Sequence, residues 1–277
     1  MPEGDTIFRS AQTLHRALAG NTIESFRTVL AHLARVNDDT PIAGRVVERV
    51  ESRGKHLLMF FSGDLILRTH MRMHGSWHIY RRGERWKAPA TAMRLVVATA
   101  EFEAVAFDVP VAEFRTARTL ARDRAVQPLG PDLLDDASDT AEAVRRLRAL
   151  GEAPIEDGLL DQRVAAGVGN VFKSEVLFEA GIHPASPVSA LDDVALAGLL
   201  TIARRQLRRN APRTPGSQPF RSQMRNTTGR LNPAESLWVY GRAGRPCLKC
   251  GSAIERCQRG EAARLTYYCP TCQPAGR

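Results

Sequence analysis

Long apolar runs are missing from this 277-residue chain: no stretch approaches the roughly 18 apolar residues of a membrane-crossing helix, so a spanning protein is not expected. A basic segment followed by an apolar one is missing from the start, where Glu3 and Asp5 stand instead, so an exported protein is not expected either. Internal repeats are absent. Acidic charge is in the minority, with 30 Asp and Glu against 39 Lys and Arg, and the resulting net charge of +9 favours a polyanionic partner. Nucleic acid leads that class, with a membrane surface behind it. Cysteine is scarce, five in all, and four of the five are paired as Cys247-Leu-Lys-Cys250 and Cys269-Pro-Thr-Cys272 with 18 residues between. That spacing is that of a zinc site in which each pair wraps one edge of the metal. Two disulfides are the alternative, disfavoured in the reducing cytoplasm where the chain is expected. Cys257 lies outside both pairs and reads as a spare thiol.

The length exceeds a typical single domain, so two domains, each with its own core, are the prior. Asp5 or Thr6 caps a helix whose apolar positions Ile7, Phe8, Ala11, Leu14 and Leu18 keep helical spacing until Gly20 stops it. Seven short strand-like runs follow up to about Val109: TIESFRTVL, RVVERVES, KHLLMFF, DLILRTH, SWHIYRR, MRLVVATA and EAVAFDV. They predict an antiparallel sandwich or barrel with a helix at its front. Beyond VQPLGPDLLDD the period turns helical in TAEAVRRLRAL, DGLLDQRVAAGVGNVFKSEVLFEAGIHP and ALDDVALAGLLTIARRQLRRN. The last carries Arg204, Arg205, Arg208 and Arg209, placed for a helix C-terminus, a solvated face or phosphates. APRTPGSQPFRSQMRNTTGRLNP, rich in small and turn-forming residues, is expected to be a mobile loop before the cysteine-bearing hairpin.

Two short stretches invite a chemical reading. Pro2 and Glu3 read as an ordinary loose terminus, or, with Met1 removed, as a secondary amine beside a proton-transferring carboxylate. Gly167-Val168-Gly169-Asn170 reads as a plain turn between helices, or as a turn that offers backbone N–H groups and an amide to a phosphate.

Taken together, PEG at the start, ESRGKHLLMFF, THMRMHGSW, LLDQRVAAGVGNVFKSEVLFEAGIHP, LWVYGRAGRPCLKCG and RLTYYCPTCQ resemble the formamidopyrimidine-DNA glycosylase and endonuclease VIII family of base-excision repair enzymes, nearly end to end and in family order. The resemblance implies an α+β multidomain protein. Its parts would be an N-terminal antiparallel β-sandwich with a leading helix (2–125), a helix-two-turn-helix domain with the loop (126–235) and a zinc-finger β-hairpin (236–277). It also implies damaged double-stranded DNA bound between the domains, one structural zinc on Cys247, Cys250, Cys269 and Cys272, and a monomer in the cytoplasm of a bacterium, associated with the nucleoid through DNA. Pro2 would attack C1′ of the damaged nucleotide and form an iminium as the base leaves, Glu3 would transfer protons at the sugar, and β,δ-elimination would then cleave the strand and release the sugar.

Further positions are carried over motif by motif. Lys55 matches the lysine beside the lesion phosphate, although a solvated charge at a strand start is the plainer reading. Asn170 and Arg264 match the turn asparagine and the finger arginine on the same stretch of backbone, so Arg264 counts with both the catalytic and the DNA-binding residues. His70 and Glu175 match positions near backbone or pocket, Glu175 also reading as a core cap. Met73 matches the wedge that fills the gap left by a flipped base. Thr6 stands where many members carry a second glutamate, and FDVPVAEFRTAR lacks the Arg-Phe-Gly loop of the guanine-lesion branch. Arg72 and His74 beside Met73 would supply the missing fillers, as in the endonuclease VIII branch, which implies a preference for oxidised pyrimidines; excision of 8-oxoguanine and formamidopyrimidine is the alternative. Two rivals remain: a non-catalytic zinc-finger DNA-binding protein, which does not need Pro2, Glu3 and Lys55 together, and an RNA-binding or ribosome-associated zinc ribbon, which leaves the N-terminus unexplained.

Overall fold

A computed structural model describes residues 2–126, 128–211, 225–259 and 264–275 and divides the chain into two compact units, Met1–Pro128 and Leu129–Arg277. The first opens on α1 (Gly4–Leu18), followed by β1 (Ser25–Thr28), α2 (Ala31–Asp39), β2 (Val47–Arg53), β3 (His56–Phe61), β4 (Leu65–His70), β5 (Ser76–Arg81), β6 (Met93–Ala98), β7 (Phe102–Phe107), β8 (Val111–Arg115) and α3 (Ala117–Leu120). Two four-stranded antiparallel sheets result, in the orders β1-β6-β7-β5 and β2-β3-β4-β8. Alternation sends Leu57, Met59, Phe61 and Leu67 from one sheet and Leu95, Val97, Ala104 and Ala106 from the other into a shared core. Helix α1 adds Ile7, Ala11, Leu14 and Leu18 to that core and packs on β2 and β3 of one sheet and β5 and β7 of the other. The apolar stripe read from the sequence therefore holds the helix against both layers.

Two elements differ from the expectation. Helix α2 falls where no helix was expected, because only Leu33 of its nine residues is buried and its periodicity is correspondingly faint. Strand β8 is an eighth strand, inside a stretch with Pro110, Glu113 and Arg115; it pairs with β4 and packs Phe114 against Phe26 and Phe61.

The second unit contains α4 (Thr140–Arg148), α5 (Ile155–Leu160), α6 (Asn170–Ala180), α7 (Asp193–Asn210) and a hairpin of β9 (Glu255–Arg259) and β10 (Arg264–Tyr268). Helix α6 is enclosed, with Asn170 to Phe178 all buried, and is capped by Gly181 in the left-handed region at φ 69°. Most of the expected loop, 212–224, lies outside the described residues. Its far end is held in place: Asn226 N–H donates to Asn210 Oδ1 at 2.7 Å, Asn210 Nδ2 donates back to Asn226 O at 3.2 Å, and Thr227 N–H donates to Ser236 O at 2.8 Å. The stretch around Thr227 is thus fastened to the second unit, because its backbone and side-chain groups find partners there.

Candidate active site

In the first unit the N-cap of α1 is Glu3, two residues before Asp5 and three before Thr6, the caps expected from the sequence. Its carbonyl accepts from Thr6 N–H at 3.0 Å and Ile7 N–H at 3.1 Å, while its buried carboxylate makes no capping bond. Pro2 immediately precedes the positive end of a 15-residue helix. Asp5 is also buried, accepts a 3.3 Å hydrogen bond from the Thr6 hydroxyl and faces Arg9 at 3.8 Å. A carboxylate in the first turn suits the helix dipole, and its burial ties Thr6 inward.

Lys55 sits at the tip of the β2–β3 hairpin, in a two-residue turn that needs Gly54 at φ 57°. The strands then place His56 opposite His70, ring centroids 4.8 Å apart and edge to face. Burial, then the Arg72 and Lys55 charges, push the His70 imidazole down to about 4; burial and the neighbouring His70 and Arg68 push His56 down to about 3. Both rings are therefore neutral at pH 7. His70 Nδ1 accepts the Arg72 N–H at 3.0 Å, which leaves Nε2 as an uncharged donor. Beneath the pair, Arg68 bonds His56 Nδ1 at 3.2 Å and forms ion pairs with Glu113 and with Asp123, the latter at 3.2 Å; Arg115 meets Asp123 at 3.0 Å.

The β4–β5 turn is clamped from below. Met71 is buried, and a Cβ on Gly75 would sit 2.6 Å from Met71 O, so only glycine fits. Arg72 holds φ 50°, and Arg72, Met73 and His74 are exposed in a row, Met73 with 56% of its surface open. The first unit thus gathers Lys55 and His70, presents Arg72, Met73 and His74 together, and sets Pro2 and Glu3 at the head of α1.

In the second unit Gln162 shapes the turn before α6: its Nε2 donates to Leu160 O at 2.8 Å and Val168 O at 2.9 Å, and its Oε1 accepts from Gly167 N–H at 3.1 Å. Asn170 opens α6 but is 7% exposed, and its Nδ2 donates to Leu265 O on β10 at 2.8 Å. The amide read from the sequence as open to a phosphate is turned to the hairpin. Arg264, next to Leu265, is exposed at the start of β10. Glu175 is fully buried and accepts the N–H groups of Trp238, Val239 and Tyr240 at 2.8–2.9 Å together with the Thr227 hydroxyl. Burial pushes its carboxyl above the ordinary range against these four donors, and its place is that of an anchor for the chain before the first cysteine pair. Arg204, Arg205 and Arg208 are engaged inside the unit, on Asp135 and Asp136 carbonyls, Glu179 and Asp136 respectively.

None of the five cysteines is in a disulfide. The Sγ atoms of Cys247, Cys250, Cys269 and Cys272 lie within 4.8 Å of one another, with Cys247 to Cys272 at 4.0 Å and Cys250 to Cys269 at 3.5 Å. A tetrahedral ion with bonds of about 2.3 Å to sulfur sets its ligands about 3.8 Å apart, so the four are positioned to bind one metal ion. Backbone N–H groups point at sulfur in both knuckles, Lys249 to Cys247 at 3.4 Å and Cys272 to Cys269 at 3.5 Å. Hydrogen bonds from Ser252 hold the Cys250 thiol down at about 6, while burial pushes Cys269 and Cys272 up; a metal would displace those protons.

Two family models match the chain, the formamidopyrimidine-DNA glycosylase N-terminal domain over residues 1–121 and its H2TH domain over 129–215. A probable endonuclease 8 2 of Streptomyces coelicolor is 41% identical, covering all of this chain and 96% of its own length. The DNA-(apurinic or apyrimidinic site) lyase Nei2 of Mycolicibacterium smegmatis is 38% identical over 99% of this chain and all of its own. Among solved structures, the Lactococcus lactis formamidopyrimidine-DNA glycosylase bound to abasic-site DNA superposes with TM-score 0.80 at 22% identity, over 99% of this chain and all of that one. The chain belongs to the formamidopyrimidine-DNA glycosylase and endonuclease VIII family, enzymes of base-excision repair that are DNA glycosylases and abasic-site lyases.

The sequence reading missed His56, Arg68, Glu113, Arg115 and Asp123. A signal was present in LILRTH, where an arginine interrupts an apolar strand.

Proposed function

We propose that the protein excises oxidised bases from double-stranded DNA, pyrimidines in preference, through an iminium on the Pro2 amine followed by β,δ-elimination. The observation that carries this reading is Pro2 poised at the positive end of α1 beside the buried carboxylate of Glu3. The amine attacks C1′, the base departs, and Glu3 protonates the sugar ring oxygen as it opens. The iminium then acidifies the C2′ hydrogens, so that the 3′ and then the 5′ phosphate leave by elimination. Lys55 and the neutral His70 donor on the first unit, and Arg264 on the second, are the phosphate-contact candidates, with Asn170 tying the Arg264 strand to α6. Structural zinc on the four cysteines would hold the finger and leave no position for substrate.

The pyrimidine preference draws support from two places. Arg72, Met73 and His74 are exposed on one turn, as a wedge taken from a single loop requires. The stretch where the guanine-lesion branch places its second wedge is here a short link from Phe107 to Val111 followed by β8. Single-turnover excision on matched duplexes is the test: thymine glycol and 5-hydroxyuracil should leave faster than 8-oxoguanine opposite cytosine, and the reverse order sinks the preference. Glu3→Gln should lose base excision by about 10²-fold or more yet cleave a preformed abasic site, where the sugar already opens on its own. Equal loss of both activities would remove Glu3 from the base-release step.

A further inference from the structure

One face of α6 meets three successive residues of the hairpin strand that carries Arg264. Asn170, Lys173 and Ser174 stand at i, i+3 and i+4, and so share a side of the helix. Asn170 Nδ2 donates to Leu265 O at 2.8 Å, Lys173 Nζ donates to the Thr266 hydroxyl at 2.6 Å, and Ser174 Oγ accepts from Tyr267 N–H at 3.4 Å. Thr266 in turn donates to Glu156 of α5, whose carboxylate lies 3.6 Å from Lys173 Nζ. All three side chains are sealed from water: Lys173 is 1% exposed, Glu156 3% and Thr266 0%.

We propose that this buried Lys173–Thr266–Glu156 cluster sets the register of β10 on α6, making Lys173 a positioning residue for the phosphate contact of Arg264. The inference rests on the reading of Arg264 as such a contact. Packing alone does not call for this cluster, because a buried ion pair stabilises no better than apolar residues of the same volume. What charges with directional bonds add is a unique arrangement. The need for one is local: a two-stranded hairpin is marginal by itself, and a slip of one residue would turn every side chain of β10, Arg264 included, to the other face. The Thr266 hydroxyl accepts from the ammonium and donates to the carboxylate, so only one residue of the strand fits between them. Asn170 adds a second tie one residue away, which fixes Arg264 relative to the turn that begins α6.

The test measures binding of the whole, zinc-loaded protein to a duplex with a tetrahydrofuran abasic-site analogue, as a function of salt. Thr266→Val removes the bridging hydroxyl at constant shape, and the paired change Lys173→Met with Glu156→Gln removes both charges without stranding one. Each should keep its metal, weaken binding about 10-fold and lower the slope of log K against log salt by about 0.9, the value of one phosphate contact. Thr266→Ser should restore both quantities. In combination with Arg264→Ala neither change should weaken binding further, because the same contact has already been lost. Unchanged slopes, losses that multiply with that of Arg264→Ala, or release of zinc by Thr266→Val would each overturn the proposal. An Arg264→Ala protein with the wild-type slope would defeat the phosphate reading of Arg264 itself, and the positioning role with it.

Discussion

Borohydride should join the protein covalently to abasic-site DNA when its chain begins at Pro2, and trapping should fall by about 10³-fold or more when Met1 is retained or a tag is fused ahead of it. The reason is chemical. A chain-terminal amine has an ordinary pKa of about 7.7 to 8.0, so a useful fraction is neutral at pH 7.5. An added residue converts the amine into a tertiary amide, whose nitrogen is no nucleophile, while the fold of α1 and the burial of Glu3 are left as they are. Lysines are the control, since Lys55 also carries an amine. Equal trapping by blocked and unblocked protein would move the nucleophile elsewhere. No trapping by either form would favour the non-catalytic DNA-binding alternative.

Removing the metal should be as severe. Cys269 is wholly buried and packs with Phe178, Val239, Cys247 and Ile254, so the knuckles are part of the small core that supports the hairpin. A structural zinc contributes about 10–16 kcal/mol of binding free energy, far more than a two-stranded hairpin supplies on its own. Cys269→Ser should therefore release the metal and lower affinity for abasic-site duplex by about 10²-fold or more, in proportion to the contacts the hairpin makes. Arg264→Ala should keep its metal and lose only its own contact. Metal analysis and binding on the same samples decide the matter, and full activity from a metal-free preparation would refute a structural role for the finger.

The sequence made some parts of this molecule legible and hid others, for physical reasons. Helices α1, α4 and α7 bury one stripe that period 3.6 betrays directly, while β3, β4, β6 and β7 are short, nearly continuous apolar runs set off by turn residues. Strand β8 escaped because its pairing with β4 allows only Ala112 to be fully buried, and α2 because it leans on the sheets through Leu33. The candidate site divides the same way. Pro2, Glu3, Lys55, Met73 and the cysteine pairs stand in short motifs whose chemistry is local. Arg68 with Asp123, or Lys173 with Thr266, are 55 and 93 positions apart in the chain, and only the folded register brings them together. Asn170 carries a warning in the other direction. Its motif position suggested an open amide, whereas burial against Leu265 has given that amide to the protein.

The paired side-chain and backbone bonds between Asn210 and Asn226 form a buckle across 211–225. The end of α7 and the start of the chain that leads to the four cysteines are thereby fastened by these two asparagines themselves, so Asn210→Ala, which removes the side chain that makes both bonds, should loosen both ends at once.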